Sequence, residues 1–120
     1  MTAACATNEV PYEGANPVPP ERQYTTIADP GGVEVGIVRD LGGRGRWYSL
    51  TVAVDGLRLA KLEPGERVTV NLAPGDHRLE VWSHDFDVLA REAIVVKEGM
   101  PLRYRLSETT VGVAFIPYVQ

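Results

Sequence analysis

The strongest constraint on the fold is an alternation of apolar residues that stops at Asp55-Gly56 and then resumes. Every second residue before this dipeptide is apolar: Tyr48, Leu50, Val52 and Val54. Successive side chains of a strand point to opposite faces, so the pattern buries one face of a strand. A two-residue Asp-Gly loop between two such runs is a strong hairpin signal, because both loop residues need a positive φ. The sequence therefore predicts a β-hairpin at this point.

Similar runs follow one another along the rest of the chain: VEVGIVR from residue 33, RVTVNL, HRLEVW, EAIVVK and PLRYRL. Pro64-Gly65 and Pro74-Gly75 mark turns between them, because proline presets φ and glycine accepts a positive φ. Residues 111–118, VGVAFIPY, are apolar on both faces, which predicts a central or doubly covered strand. No stretch has the 3.6-residue period of a helix. We predict an all-β fold, an antiparallel β-sandwich of roughly seven or eight strands.

Residues 1–32 differ in kind from residues 33–120. The first segment contains five prolines and three glycines and has little apolar periodicity. Such a segment buries too little apolar surface to offset the entropy lost on ordering. We therefore predict a flexible, irregular N-terminal tether over residues 1–32 and a β-sandwich domain over residues 33–120.

Composition excludes several classes of function. The chain has a net charge of −4, and nucleic-acid binding depends on clustered lysine and arginine, so no nucleic-acid partner is predicted. Its one cysteine, Cys5, cannot form an internal disulfide or a multi-cysteine zinc site. No apolar run approaches the roughly 20 residues of a membrane-spanning helix.

Cys5 follows three small residues in the sequence Thr2-Ala3-Ala4-Cys5. Bacterial lipoproteins are cleaved before a cysteine in such a context, and lipid is joined to its sulfur. We therefore predict lipid attachment at Cys5, with the segment behind it as a tether spanning roughly 25–30 Å. An inert terminal thiol is the alternative. A redox or catalytic thiol is disfavoured, because residues 1–10 offer no positive side chain to lower its pKa.

No catalytic or metal-binding set stands out in the sequence. His84, Asp85 and Asp87, with His77, are ligand types that suit zinc. However, His77 and His84 lie at opposite ends of one predicted strand, about 20 Å apart. A polar hairpin connection is the preferred reading, and no metal is predicted. Because no serine lies in a G-x-S-x-G elbow and His77 reads as a strand-edge residue, we predict no enzyme activity and no cofactor.

Two features indicate an interaction surface. Arg44 and Arg46 lie in a glycine-rich loop that could contact anionic glycans, lipid head groups or a partner's carboxylates, or remain simply solvated. Trp47 and Trp82 fall on the strand faces opposite the predicted core, and exposed tryptophan often marks a contact surface. Together with Tyr118 or Phe86 they could form a patch. Alternatively, they pack under the N-terminal segment or cover a second core face.

The run VAVDGLRLAKLEPGERVTVNLAPGDHRLEV, preceded by GIVRD and followed by EAIVVKEGMPLRYRL, resembles the PEGA-type β-sandwich modules. It is also similar to a group of small bacterial lipoproteins of unknown function. The resemblance covers about residues 33–106, although the Pro-Glu-Gly-Ala signature is absent. It implies an Ig-like or transthyretin-like sandwich in the cell envelope, without enzyme activity. It implies no site residue.

These observations predict a non-enzymatic bacterial cell-envelope lipoprotein, anchored through Cys5 and facing the periplasm or the cell surface. Its sandwich would present a binding or scaffolding surface to an envelope protein or glycan, with Arg44, Arg46, Trp47 and Trp82 as candidates. One alternative is an assembly or decoration subunit that joins through its sheet edges and the strand at 111–118. Another is a glycan-binding module that uses Trp47 or Trp82.

Overall fold

The computed structural model describes residues 8–42, 49–109 and 112–118. Its strands are β1 (Asn16–Pro17), β2 (Val33–Arg39), β3 (Leu50–Val54), β4 (Leu57–Leu62), β5 (Glu66–Leu72), β6 (Gly75–Trp82), β7 (Val88–Val96), β8 (Leu102–Thr109) and β9 (Gly112–Pro117). Two single 3-10 turns, Tyr12–Gly14 and Pro20–Arg22, precede β2. The predicted all-β sandwich is confirmed.

The strands form two sheets, in the orders β1-β5-β2-β8-β9 and β4-β3-β6-β7. The four-stranded sheet is wholly antiparallel, but β2 pairs in parallel with β8, and β1 in parallel with β5. The prediction of an antiparallel sandwich therefore needs this correction. Parallel neighbours require a long crossover, and here the chain forms all four strands of the other sheet, as well as β5, between β2 and β8.

The core lies between the two sheets and contains side chains that the alternating sequence pattern predicts to point inward. Buried members include Val68, Val70, Leu72, Leu79, Val81, Ile94, Val96 and Leu106. The predicted hairpin also forms, since Asp55 and Gly56 have φ values of 50° and 84°. Leu59 and Ala60 are adjacent yet both buried, because the β3–β4 register shifts between Val52 and Ala53.

Strand β9 lies at an edge of the five-stranded sheet, so the prediction of a central or doubly covered strand is wrong. Of its side chains only Phe115 is buried. Gly112 and Ala114 are apolar but small, so their exposure leaves little apolar area in water. Pro117 is itself typical of an edge, because proline cannot donate a hydrogen bond to a further strand.

Residues 8–28, here called the strap, lie against the sandwich instead of extending from it. The Tyr12 ring crosses the outer face of the five-stranded sheet above Gly36, where an added Cβ would lie 2.1 Å from the tyrosine oxygen. The Tyr12 hydroxyl is 2.9 Å from the Thr69 hydroxyl, and Val10, Tyr12, Ala15 and Val38 form a second buried cluster. The prediction of a flexible tether is therefore corrected for this part of the chain.

Arginine side chains and backbone hydrogen bonds hold the strap in place. Arg67 donates to the carbonyl oxygens of Tyr12 and Ala15, and Arg22 forms a bidentate pair with Glu66 at 2.6 Å. The strap also hydrogen-bonds to the outer edges of β5 and β4, for example from the Tyr24 amide to the Leu59 carbonyl at 2.7 Å. It thus closes one side of the sandwich.

Candidate interaction surface

The two outer sheet faces differ in what covers them. The strap covers the five-stranded sheet, whereas the four-stranded sheet carries a row of long polar side chains. In the register of that sheet, Arg58 lies opposite Ala53, Ala53 opposite Glu80, and Glu80 opposite Arg91. Directly opposite residues share a face, so Arg58, Glu80 and Arg91 project from the same side.

Glu80 is the centre of this row. Its side chain is only 6% exposed, and it accepts hydrogen bonds from Arg91 Nε at 2.9 Å and from Trp82 Nε1 at 3.0 Å. Arg78 Nε lies 3.2 Å from the same oxygen that Arg91 contacts. The hydrogen bonds from Arg91 and Trp82 hold the pKa of Glu80 below its usual value, although burial opposes them. One ionised carboxylate therefore forms ion pairs with two guanidinium groups.

Arg58 is held by aromatic rings. Its guanidinium carbon lies 4.8 Å from the ring centre of Tyr24 and 5.8 Å from that of Phe86. Cations are attracted to ring faces at such distances, which orders the guanidinium without neutralising it. Within residues 8–42, 49–109 and 112–118, no carboxylate forms a salt bridge with Arg58.

Together these groups form what we call the arginine face: Arg58, Arg78, Glu80, Trp82, Arg91, Tyr24 and Phe86. Its three arginines and one glutamate give a local charge of +2, on a chain whose net charge is −4. Beneath the long side chains, Thr51 and Ala53 are only 4% and 0% exposed, although they point outward from the core. The arginine face is thus a built layer of side chains over the sheet.

The residues predicted to form one surface patch lie on different parts of the structure. Trp82 is part of the arginine face, half-buried with its indole bonded to Glu80. Phe86 belongs to the same face through Arg58. Tyr118 does not, because it packs edge-on against Tyr12 on the strap side of the molecule, with ring centres 6.0 Å apart.

The other predicted site residues, Cys5, Arg44, Arg46 and Trp47, lie outside the described residues.

His77 joins two turns. Its Nδ1 lies 2.6 Å from Asp55 Oδ2, and its Nε2 is 2.7 Å from the Ala73 carbonyl oxygen, to which it must donate. Burial opposes a charged imidazole, but the hydrogen bonds to Asp55 and Ala73 outweigh it and raise the pKa of His77. Both ring nitrogens are engaged, so the geometry is that of a clip between the β3–β4 and β5–β6 turns.

The Ser83–Asp87 stretch is a turn stabilised by its own serine. The hydroxyl oxygen of Ser83 accepts hydrogen bonds from the backbone amides of Asp85 and Asp87, at 3.2 and 3.1 Å. His84 Nε2 lies 3.4 Å from Asp85 Oδ2. In the part of the chain that the structure describes, no three His, Cys, Asp or Glu side chains converge as a potential metal site.

Sequence reasoning missed the most central members of the arginine face, Arg58, Glu80 and Arg91. A signal for one strand was present, because Arg78, Glu80 and Trp82 alternate with the core residues of HRLEVW. The positions of Arg58 and Arg91 depend on the strand register and therefore on contacts between distant residues. The stacking of Phe86 on Arg58 likewise depends on how the 83–87 turn folds over the sheet.

Sequence reasoning also missed a buried ion pair, between Arg39 and Glu108 at 3.0 Å, with side chains 0% and 6% exposed. Arg39 donates in addition to the Leu62 carbonyl at 2.8 Å. Beside it, the buried Asp40 pairs with Arg105 at 2.6 Å. These pairs lie where β2 meets β8 and fix the end of their parallel pairing.

Comparison with known protein families and with curated proteins found no match to this chain. Among the described residues, no helix is both long and apolar enough to cross a bilayer.

Proposed function

We propose that this protein is a non-enzymatic binding module of the bacterial cell envelope, and that its partner docks on the arginine face. The observation that carries the proposal is the state of Arg58. This cation is ordered by two aromatic rings but has no salt-bridge carboxylate among the described residues. An ordered, uncompensated cation on a surface favours binding of an anionic partner, because its conformational entropy is already reduced before binding.

The arrangement of the other polar groups supports binding over catalysis. A general base needs a free nitrogen or oxygen within hydrogen-bond reach of a substrate. His77 uses both ring nitrogens within the fold, and Glu80 is enclosed by its hydrogen-bond donors. This geometry gives His77 a structural role between its two turns and Glu80 a structural role within the arginine face.

The envelope location rests on the sequence context of Cys5. Since the strap is held from Asn8 onward, only the residues between Cys5 and Asn8 would separate a lipid from the folded domain. Three extended residues span at most about 11 Å. An anchor at Cys5 would therefore hold the sandwich close to the bilayer, where the long tether first expected would have held it further away.

Charge reversal tests the surface. We expect Arg58→Glu and Arg91→Glu each to abolish co-sedimentation of the full chain with purified bacterial envelopes, when every protein compared carries Cys5→Ser so that no lipid is attached. Lys97→Glu is the matched control, because it makes the same charge change on an exposed turn residue outside the arginine face. Equal co-sedimentation of all three variants and the unchanged protein would contradict the use of this face.

Lipid attachment is tested separately by mass spectrometry of the protein recovered from envelopes. We expect the peptide that contains Cys5 to carry a diacylglyceryl group. A Cys5→Ser variant should be released from envelopes by a high-salt wash, which screens the arginine face, whereas the lipidated protein should stay bound. An unmodified Cys5 in envelope-associated protein would remove the anchor from the proposal and leave the binding surface untouched.

A further inference from the structure

We propose that the ligand of the arginine face is a carboxylate-bearing polysaccharide, a polymer of uronic acid residues, lying across the strands of the four-stranded sheet. This inference rests on the proposed function and adds the chemistry of the partner.

The charges of the arginine face favour a ligand that carries more than one anionic group. Arg58 offers a guanidinium positioned by Tyr24 and Phe86, and Arg78 and Arg91 share one carboxylate, that of Glu80. The side chains of Arg78 and Arg91 are 56% and 63% exposed. Guanidinium groups bind carboxylates through two parallel hydrogen bonds, so each exposed arginine edge fits a carboxylate better than a neutral hydroxyl.

The distance between the outer arginines of the face favours a ligand with a repeating anionic unit. Arg58, Ala53, Glu80 and Arg91 lie opposite one another on four successive strands. Neighbouring strands are about 4.8 Å apart, so the two outer arginines are separated by about 14 Å at the backbone. A linear polymer with regularly placed carboxylates can meet both ends of this row. A small monovalent anion can meet only one.

The pairing of the backbone hydrogen-bond groups within the sheet favours a polysaccharide over an acidic peptide. Extended peptides gain much of their affinity by adding main-chain hydrogen bonds at a sheet edge. On a sheet face these groups already bond to neighbouring strands and lie in the plane of the sheet. A polysaccharide needs only side-chain donors and flat apolar surfaces. Phe86, 61% exposed, and Trp82, half-buried, offer such surfaces beside the arginines.

The test measures binding of the full chain to polygalacturonate by isothermal titration calorimetry, with the fully methyl-esterified polymer as the neutral match. We expect binding to the acid form that weakens as salt rises, and at least tenfold weaker binding to the ester. Arg58→Gln and Arg91→Gln should each weaken binding about tenfold, and Lys97→Gln should leave it unchanged. Phe86→Ala, at an exposed position, should weaken it severalfold by freeing Arg58.

Several outcomes would overturn the inference. Equal binding of the acid and ester forms would show that carboxylates are not recognised. Binding of poly-glutamate as tight as that of polygalacturonate would assign the face to acidic proteins. If envelope binding depends on Arg58 but no polyuronate binds, the inference fails and the proposed function stands. If the charge reversals leave envelope binding unchanged, the proposed function fails as well.

Discussion

Replacing Gly36 with alanine should separate the strap from the sandwich without disturbing the strand that carries the substitution. Gly36 has no positive φ, so the backbone of β2 accepts alanine, and alanine is usually favourable in a strand by about 0.5–1 kcal/mol. The obstacle is the Tyr12 ring. A Cβ at position 36 would lie 2.1, 2.5 and 2.6 Å from three of its atoms, well inside contact distance. The ring must therefore leave its place.

The cost follows from what Tyr12 does there. Its side chain is buried, it bonds to Thr69, and the guanidinium of Arg103 lies 4.2 Å from its ring centre. Losing a buried aromatic side chain costs about 3–5 kcal/mol. We expect Gly36→Ala to lower the free energy of unfolding by about this amount, because the hydrogen bond and the cation–π contact, about 1 kcal/mol each, offset the gain from alanine. Urea denaturation followed by circular dichroism measures the change.

A double-mutant cycle decides whether the strap is the cause. Tyr12→Ala alone should cost about as much as Gly36→Ala, and the double variant should be no less stable than Tyr12→Ala. In Gly36→Ala, trypsin should also cut after Arg22 much faster, because Arg22 is tied to Glu66 in the intact fold. A loss below about 1 kcal/mol, or costs that simply add in the double variant, would refute the reasoning.

Two further predictions concern charge pairs that join separate parts of the fold. Although burial opposes both shifts, the hydrogen bond between His77 and Asp55 raises the pKa of His77 above its ordinary 6.5 and lowers the pKa of Asp55 below its ordinary 3.8. Their pairing therefore stabilises the protein fully between pH 3.8 and pH 6.5. This stabilisation is lost as pH rises through the folded-state pKa of His77. The urea midpoint of His77→Gln should therefore fall further below that of the unchanged protein at pH 5.5 than at pH 8.5, and an equal difference at both pH values would contradict the clip. Glu108→Gln removes the negative charge beside the buried Arg39 and should cost about 3–5 kcal/mol in urea denaturation. A cost below about 1 kcal/mol would show that this charge does not stabilise Arg39.

The parts of the fold that could be predicted are those set by neighbouring residues. The Asp55-Gly56 turn needs only its two positive φ values, and Val68, Val70 and Leu72 need only strand alternation. The strap could not be found in this way, because its buried residues follow neither a two-residue nor a 3.6-residue period. Its place depends on the gap that Gly36 leaves for Tyr12, and these residues are far apart in the sequence.

The arginine face shows the same limit at the level of function. Trp82 could be placed on an outer face by counting along one strand, and the structure confirms that position. What makes the face a candidate site is the row from Arg58 to Arg91, which only the pairing of four strands brings together. Local patterns predict which face of the sheet a side chain lies on, whereas its neighbours on other strands depend on the strand register.

The Tyr118 hydroxyl donates to the carbonyl oxygen of Val10, and its ring packs against Tyr12. The second buried cluster is therefore not complete until residue 118 has been synthesised. Strand β2 must likewise wait for β8 before it has both neighbours. Contacts of such long range slow folding and leave early segments exposed in the meantime. On the ribosome, the strap and β2 would emerge before β8 and Tyr118, which complete their contacts, so both would stay partly exposed in the nascent chain until those residues follow.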